Sequence, residues 1–229
     1  MSAGGIETDY VTDIAERLLS ANRPAEALDR LKTARQVDED DTTQIDLTVR
    51  ALEALGRNDE AQDVRWRFFQ KTLNPDYLRE HLKRLPDFED FEAEQKGLTC
   101  AAGHQSAERA LAFFTDWPNL ERAARLVWNR LSDLNGAIYY VLRPSAEALE
   151  EKYPAAATLL YRRMVESVLN RGSSKQYPYA AEDLQSCGRL AERLVGDHEI
   201  ESHATFLARL KKTHGRKYGF WSQFDGRTK

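Results

Sequence analysis

Leu18-Leu19-Ser20-Ala21-Asn22-Arg23-Pro24-Ala25-Glu26-Ala27 and Leu52-Glu53-Ala54-Leu55-Gly56-Arg57-Asn58-Asp59-Glu60-Ala61 are the two stretches whose comparison decides the fold. Leucine, arginine, glutamate and alanine recur at an offset of 34 residues, as Leu18/Leu52, Arg23/Arg57, Glu26/Glu60 and Ala27/Ala61. Each stretch joins two runs with helical spacing across a turn signal, Asn22-Arg23-Pro24 in one and Gly56-Arg57-Asn58 in the other. Such turns end one helix and begin the next. Upstream, Asp9 precedes Val11, Ile14, Leu18 and Leu19, which share one helical face; downstream, Ala27, Leu28, Leu31 and Ala34 do the same. The match is incomplete, because Leu28 and Leu31 face Gln62 and Arg65.

A period of 34 residues is the length of the tetratricopeptide helix hairpin, in which small residues let the paired helices approach closely. Working outward, the acidic run Asp38-Glu39-Asp40-Asp41 reads as a solvated loop, and a third helix spans about Thr43 to Leu55, ending at Gly56. Asn58 is placed to cap a fourth helix carrying Ala61, Val64, Phe68 and Phe69.

Beyond Asn74 the period fades while the helix-turn-helix rhythm continues. Pro75 opens a helix with Leu78, Leu82 and Leu85, and Phe88 and Phe91, among acids, begin another reaching Ala102. Ser106 caps Ala107 to Phe114, Trp117-Pro118 starts the next helix, and later starts fall near Ser145, Pro154, Tyr177-Pro178 and His198. No stretch alternates like a strand. The expectation is an all-α chain of about eleven helices, antiparallel to their neighbours and stacked as a tetratricopeptide-like α-solenoid. Its parts would be a disordered 1–8, helix hairpins over 9–73, and a continuing repeat region over 74–229 closed by an aromatic cap.

From about Tyr77 to Trp221 the sequence resembles a family of uncharacterised bacterial proteins of unknown function, related to tetratricopeptide-type solenoids. The residues that carry the resemblance are Tyr77-Leu-Arg-Glu-His-Leu-Lys-Arg-Leu-Pro-Asp-Phe-Glu-Asp-Phe-Glu-Ala-Glu, Ala110-Leu-Ala-Phe-Phe-Thr-Asp-Trp-Pro-Asn-Leu, Ala155-Ala-Ala-Thr-Leu-Leu-Tyr-Arg and His214-Gly-Arg-Lys-Tyr-Gly-Phe-Trp. Members of that family often accompany a SWIM-type zinc finger, and this chain contains no such Cys/His finger. The resemblance implies a helical-repeat fold and no established activity.

Composition narrows function further. The chain has 229 residues and a formal net charge of −4, so no global field demands nucleic acid or a membrane surface. Cys100 and Cys187 lack paired spacing, and the N-terminus lacks a signal peptide, which together imply free thiols in the cytoplasm. No run of 18 apolar residues occurs that would span a bilayer.

Chemical motifs are scarce. Cys100, His104 and His81 fall within 24 residues; a helix over Leu98 to His104 would put Cys100 and His104 on one face but leave further ligands lacking, and a turn around Ala102-Gly103-His104 would remove even that geometry, so no metal is expected. Glu199 and His203 lie in a charged helix start. There is no GxSxG elbow and no phosphate loop; Gly172-Ser173-Ser174-Lys175 lacks the preceding strand. No cofactor and no catalysis are therefore expected, and the leading reading is a module that binds a protein or peptide on its concave face. Arg50, Arg57, Arg65 and Arg67 are the candidate contacts for acidic partner groups. A rival reading is nucleic-acid contact through Lys211, Lys212, Arg216, Lys217 and Trp221, where cations alternate with aromatics. A second rival is an enzyme whose site assembles from scattered helices.

Overall fold

The computed structural model describes residues 3–33, 42–86, 88–194 and 200–227. All regular structure among these residues is helical: thirteen α-helices and two short 3₁₀ turns, with no strand. The chain divides into two compact units, residues 1–101 and 102–229.

The first unit begins with α1 (Ala3–Ser20) and α2 (Pro24–Thr33), followed by α3 (Thr43–Ala54) and α4 (Asn58–Thr72). Its two turns are built alike. Asn22 and Gly56 both take left-handed backbone (φ 57° and 70°), the conformation that ends a helix most easily at glycine or asparagine. Arg23 N–H then reaches back to Leu18 O (2.8 Å), and Arg57 N–H to Leu52 O (2.9 Å), satisfying carbonyls left open at the helix ends. In the next turn Arg23 grips Glu26 and Arg57 grips Glu60, each through two hydrogen bonds of 2.6 Å. Ala27 and Ala61 are fully buried at the crossings. The four residues that recur at 34 positions thus have repeated physical jobs: a carbonyl acceptor, a two-pronged cation, its counterion and a small contact.

Ala15, Ala27, Leu31 and Leu47 form one buried cluster, and Leu28, Val49, Ala51, Leu52 and Ala61 a second, with Leu19 touching both. α1 is drawn from Ala3, so it includes part of the segment read above as disordered. No proline stands there to stop a helix growing at one hydrogen bond per residue. Asn58 is the first helical residue rather than the cap, a position taken by Arg57 without a side-chain hydrogen bond.

α5 (Pro75–Leu82) and α6 (Asp90–Ala102) complete this unit. The fading of the period after Asn74 does not mark an edge. Tyr77 packs edge-on against Phe68 at 4.5 Å between ring centroids and hydrogen bonds to Asp46, while Leu78 is fully buried. Asp38–Asp41, Ala34 and Asp87 lie outside the described residues.

In the second unit, α7 (Ala107–Asp116), α8 (Leu120–Arg130), α9 (Tyr139–Leu149), α10 (Pro154–Arg171), α11 (Tyr177–Ala191), α12 (His203–His214) and α13 (Tyr218–Arg227) follow in order. Ser106 caps α7 as expected, accepting the Arg109 N–H at 3.2 Å, and Asn119 and Ser202 cap α8 and α12 in the same way. No helix starts at Ser145, because Pro144 is accommodated inside α9 and the Ser145 hydroxyl donates to Val141 O (2.9 Å). His198 and Glu199 lie outside the described residues, and α12 starts at His203. α10 packs on α8, α9 and α11.

The C-terminal aromatics are core. Phe220, Trp221 and Phe224 join Val165, Leu169, Ala181, Leu184, Phe206 and Leu210 in one buried cluster. The Trp221 indole N–H donates to His214 O (3.0 Å), and Tyr177 and Phe220 meet edge to face at 5.9 Å. Among the described residues no helix is long and apolar enough to cross a membrane.

Removing a fully buried aromatic leaves a cavity in α10–α11–α13 packing, so Phe220→Ala is expected to cost about 3–5 kcal/mol. Truncation after His214 should lower the melting temperature further. Thermal unfolding of both variants checks this, and an unchanged midpoint would mean that α13 is not part of the core.

Candidate functional site

The arginine row expected to meet a partner is instead occupied by the chain's own carboxylates. Arg50 donates to Glu16 through two hydrogen bonds (2.8 and 3.1 Å), Arg57 is held by Glu60, and exposed Arg67 lies 3.7 Å from Asp63. Arg65 is buried, bonded to Glu53 and to the Gln62 amide oxygen. Gln62 in turn donates to His81 O at 3.0 Å. The positions where the 34-residue match failed, Gln62 and Arg65, therefore carry a polar network in place of the leucines. Arg84 extends it by donating to both Glu53 and Glu80, and with Lys83 it holds the Glu80 carboxyl down at about 2. Arg50 and Arg65 do line one open cleft with Asp46 and Tyr77, whereas Arg57 and Arg67 do not.

The basic tail divides into two parts. Trp221 is buried, with Lys211 Nζ 5.5 Å from its ring, so it is not free to stack on a base. Lys211, Lys212, Arg216 and Lys217 line a shallow open concavity around the end of α12, and none forms an ion pair among the described residues. His214 lies in the same turn, its basicity lowered by burial and by Lys217.

The residues considered for a metal have other roles. His104 Nδ1 accepts the Ser106 N–H (3.1 Å), and the His81 ring lies 5.5 Å from Trp66, its basicity lowered by burial. Among the described residues, no group of three or more His, Cys, Asp or Glu side chains converges. Burial raises the Cys100 thiol, and pushes Cys187 up to about 12, which leaves both thiols protonated and poor nucleophiles near neutral pH.

A concavity of the second unit that no sequence motif pointed to lies between α9, α10 and α11. α9 supplies Tyr139 and Arg143, one turn apart; α10 supplies Met164, Val168 and Arg171 at spacings of four and three; α11 supplies Tyr179, Ala180 and Asp183, and the 3₁₀ turn before it Gln176. These spacings put each set on one helical face. Together they enclose a trough of about 350 Å³. Its end is shaped by Gly136, where a Cβ would stand 2.3 Å from Arg163 O and 2.7 Å from Ser167 Cβ, so only glycine lets the α8–α9 connection approach α10 this closely.

Asp183 is the chemically unusual group of the trough. It is 96% buried, since its relative exposure is 4%, and Arg143 Nη2 lies 2.8 Å from its Oδ1. That contact is an ion pair, and among the described residues the geometry gives Oδ1 no hydrogen bond. Arg143 donates instead to Tyr179 O at 3.2 Å. Burial dominates, lifting the Asp183 carboxyl to about 7 against the pull of Arg143, with Glu182 and Glu147 adding to the rise. Tyr139 and Tyr179 stand exposed at the rim. Arg171 hydrogen bonds to Ser167 O and the Gln176 amide, and has no carboxylate partner among the described residues.

The sequence model of a family of unknown function, DUF6880, matches residues 6–223. The chain belongs to this family. The match takes in the two N-terminal hairpins as well as the region from Tyr77 onward, so the DUF6880 family covers more of the chain than the resemblance seen in sequence. No curated protein and no solved structure matches.

The raised Asp183 carboxyl makes a pH prediction. The folded chain holds this proton above the ordinary carboxylate value of 3.8, so its contribution to stability is fully present below that pH and is lost as pH rises toward about 7. Asp183→Asn removes that loss. The variant should gain stability relative to the parent as pH increases from 4 to 8, and parallel melting curves would contradict the assignment.

Proposed function

We propose that this chain is a non-catalytic binding module whose trough between α9, α10 and α11 takes an apolar or aromatic side chain of a protein or peptide. The observation that carries this reading is the trough itself, with Met164, Val168 and Ala180 as its apolar wall and exposed tyrosine rings at its mouth. Solvent-exposed aromatics around a concave apolar floor are the composition of protein-recognition hot spots. Arg171, without a carboxylate partner among the described residues, supplies a donor for an acidic group beside the inserted side chain. The partner reading thus moves from Arg50, Arg57, Arg65 and Arg67 to the second unit.

The framework we propose is a tetratricopeptide-like solenoid. It is supported in the first unit by two hairpins that repeat the same turn, ion pair and buried alanine at 34 residues. The ion pair Arg50–Glu16 spans that same interval and ties one hairpin to the next. We place the protein in the cytoplasm, a reading supported by two free cysteines.

One observation favours a second reading. Lys211, Lys212, Arg216 and Lys217 form a cluster without carboxylate partners among the described residues, beside the exposed ring of Tyr218, a surface suited to a nucleic-acid backbone. Titration with a single-stranded oligonucleotide at two salt concentrations tests it, and the absence of salt-sensitive binding removes it.

For the leading reading, peptides selected by the full chain from a random displayed library should be enriched in an aromatic or long apolar residue near an acid. Tyr179→Ala and Arg171→Ala should each weaken the selected peptides by about tenfold or more, corresponding to the loss of roughly 1.4 kcal/mol or more. Affinities unchanged in both variants, measured by fluorescence anisotropy, would place the binding surface elsewhere.

A further inference from the structure

A second cavity lies on another side of α10, and its chemistry differs from that of the trough. It measures about 350 Å³ and combines the apolar side chains Leu131, Leu159, Ile200 and Phe206 with the guanidinium of Arg162. Arg163, Arg209, Glu166 and Glu201 supply the remaining charge.

The arginines are not equivalent. Arg209 is neutralised twice, by Glu166 (2.7 Å) and by Glu201 (3.0 and 3.3 Å), and Arg163 clasps the backbone carbonyls of Leu134 (2.8 Å) and Ser132 (3.2 Å). Arg162 is 94% buried, since its relative exposure is 6%, and has no carboxylate partner among the described residues. Among the described residues its one hydrogen bond to an oxygen runs from Nη1 to Glu201 O at 2.7 Å, the Cys187 thiol also lies against it, and its Nε has no partner. The Phe206 ring lies 4.5 Å from its guanidinium carbon, and burial depresses its basicity.

Burial outweighs what the Glu201 carbonyl and charge, the Phe206 ring and the Cys187 thiol give this cation, and a counterion on the guanidinium would offset that desolvation. The cavity carries three cations and two anions, a surplus of one positive charge. A planar monoanion matches both that surplus and the fork of a guanidinium. The apolar lining beside it calls for a hydrocarbon portion on the same ligand.

We propose that this cavity binds a short aliphatic carboxylic acid, its carboxylate paired with Arg162 and its chain packed against Leu131, Leu159, Ile200 and Phe206. The site is separate from the trough and does not rest on the peptide reading.

Valerate is a suitable probe, with acetate, pentanol and inorganic phosphate as comparisons at matched ionic strength. At ten times its dissociation constant, valerate should raise the melting temperature of the full chain by about 3–6 °C. Acetate, lacking the chain, and pentanol, lacking the charge, should each raise it less. Arg162→Met should abolish the valerate response. If that variant does not fold, Arg162→Lys, which keeps the charge but loses the two-pronged donor, should weaken valerate binding by about tenfold or more. No response to valerate in the wild-type chain, a response kept in full by the tested variant, or an equal response to phosphate overturns the proposal, the last because it would point to the exposed lysines after Leu210.

Discussion

The second unit depends on the burial of α10. Ten of its eighteen residues are buried, including Leu160, Tyr161, Met164, Val165, Val168 and Leu169. A helix buried on most of its circumference must meet neighbours on several sides, and α8, α9 and α11 supply them. The apolar contribution is large, at about 1.5–3 kcal/mol for each fully buried large aliphatic side chain. Polar residues on such a helix need local solutions. The Thr158 hydroxyl donates back to Pro154 O, and Tyr161 donates to Glu150, which Arg189 holds in a two-pronged pair.

Both cavities of this unit follow from the same axis. Met164, Val168 and Arg171 turn one face of α10 to the trough, while Leu159, Arg162, Arg163 and Glu166 turn another to the arginine cavity. The two differ in what lies beneath them. The trough has a buried acid beside Arg143, and the other has a buried guanidinium without a carboxylate partner among the described residues. Charged groups buried this way are costly unless paired.

Much of the fold was legible in the sequence because its signals were local. Helix stops at Asn22 and Gly56, the cap at Ser106 and proline starts at Pro75 and Pro154 each act through a backbone conformation or a single hydrogen bond. The start expected near Ser145 failed because Pro144, in the middle of α9, stays inside a helix that tertiary packing holds, with Leu142, Ala146 and Leu149 fully buried. The tail was legible in character: aromatics among cations fit a helix that closes the core, and Trp221, Phe220 and Phe224 are packed there. The site was not legible. Arg50 and Glu16 are 34 residues apart, Arg143 and Asp183 forty, and Arg162 meets Glu201 across 39, so no window along the chain reveals which arginine is paired and which is not. Asp183 looks like any acid on a helix face until burial removes its water.

Hydrogen exchange of the full chain tests the role of α10 most directly. If this helix is the axis of the second unit, amides of Leu160 to Leu169 should exchange only through global unfolding of the unit, with α11 and α13 close behind. Exchange of those amides through local opening, faster than that of α9 or α11, would contradict the account, because neither cavity could then be held in shape by the helix they share.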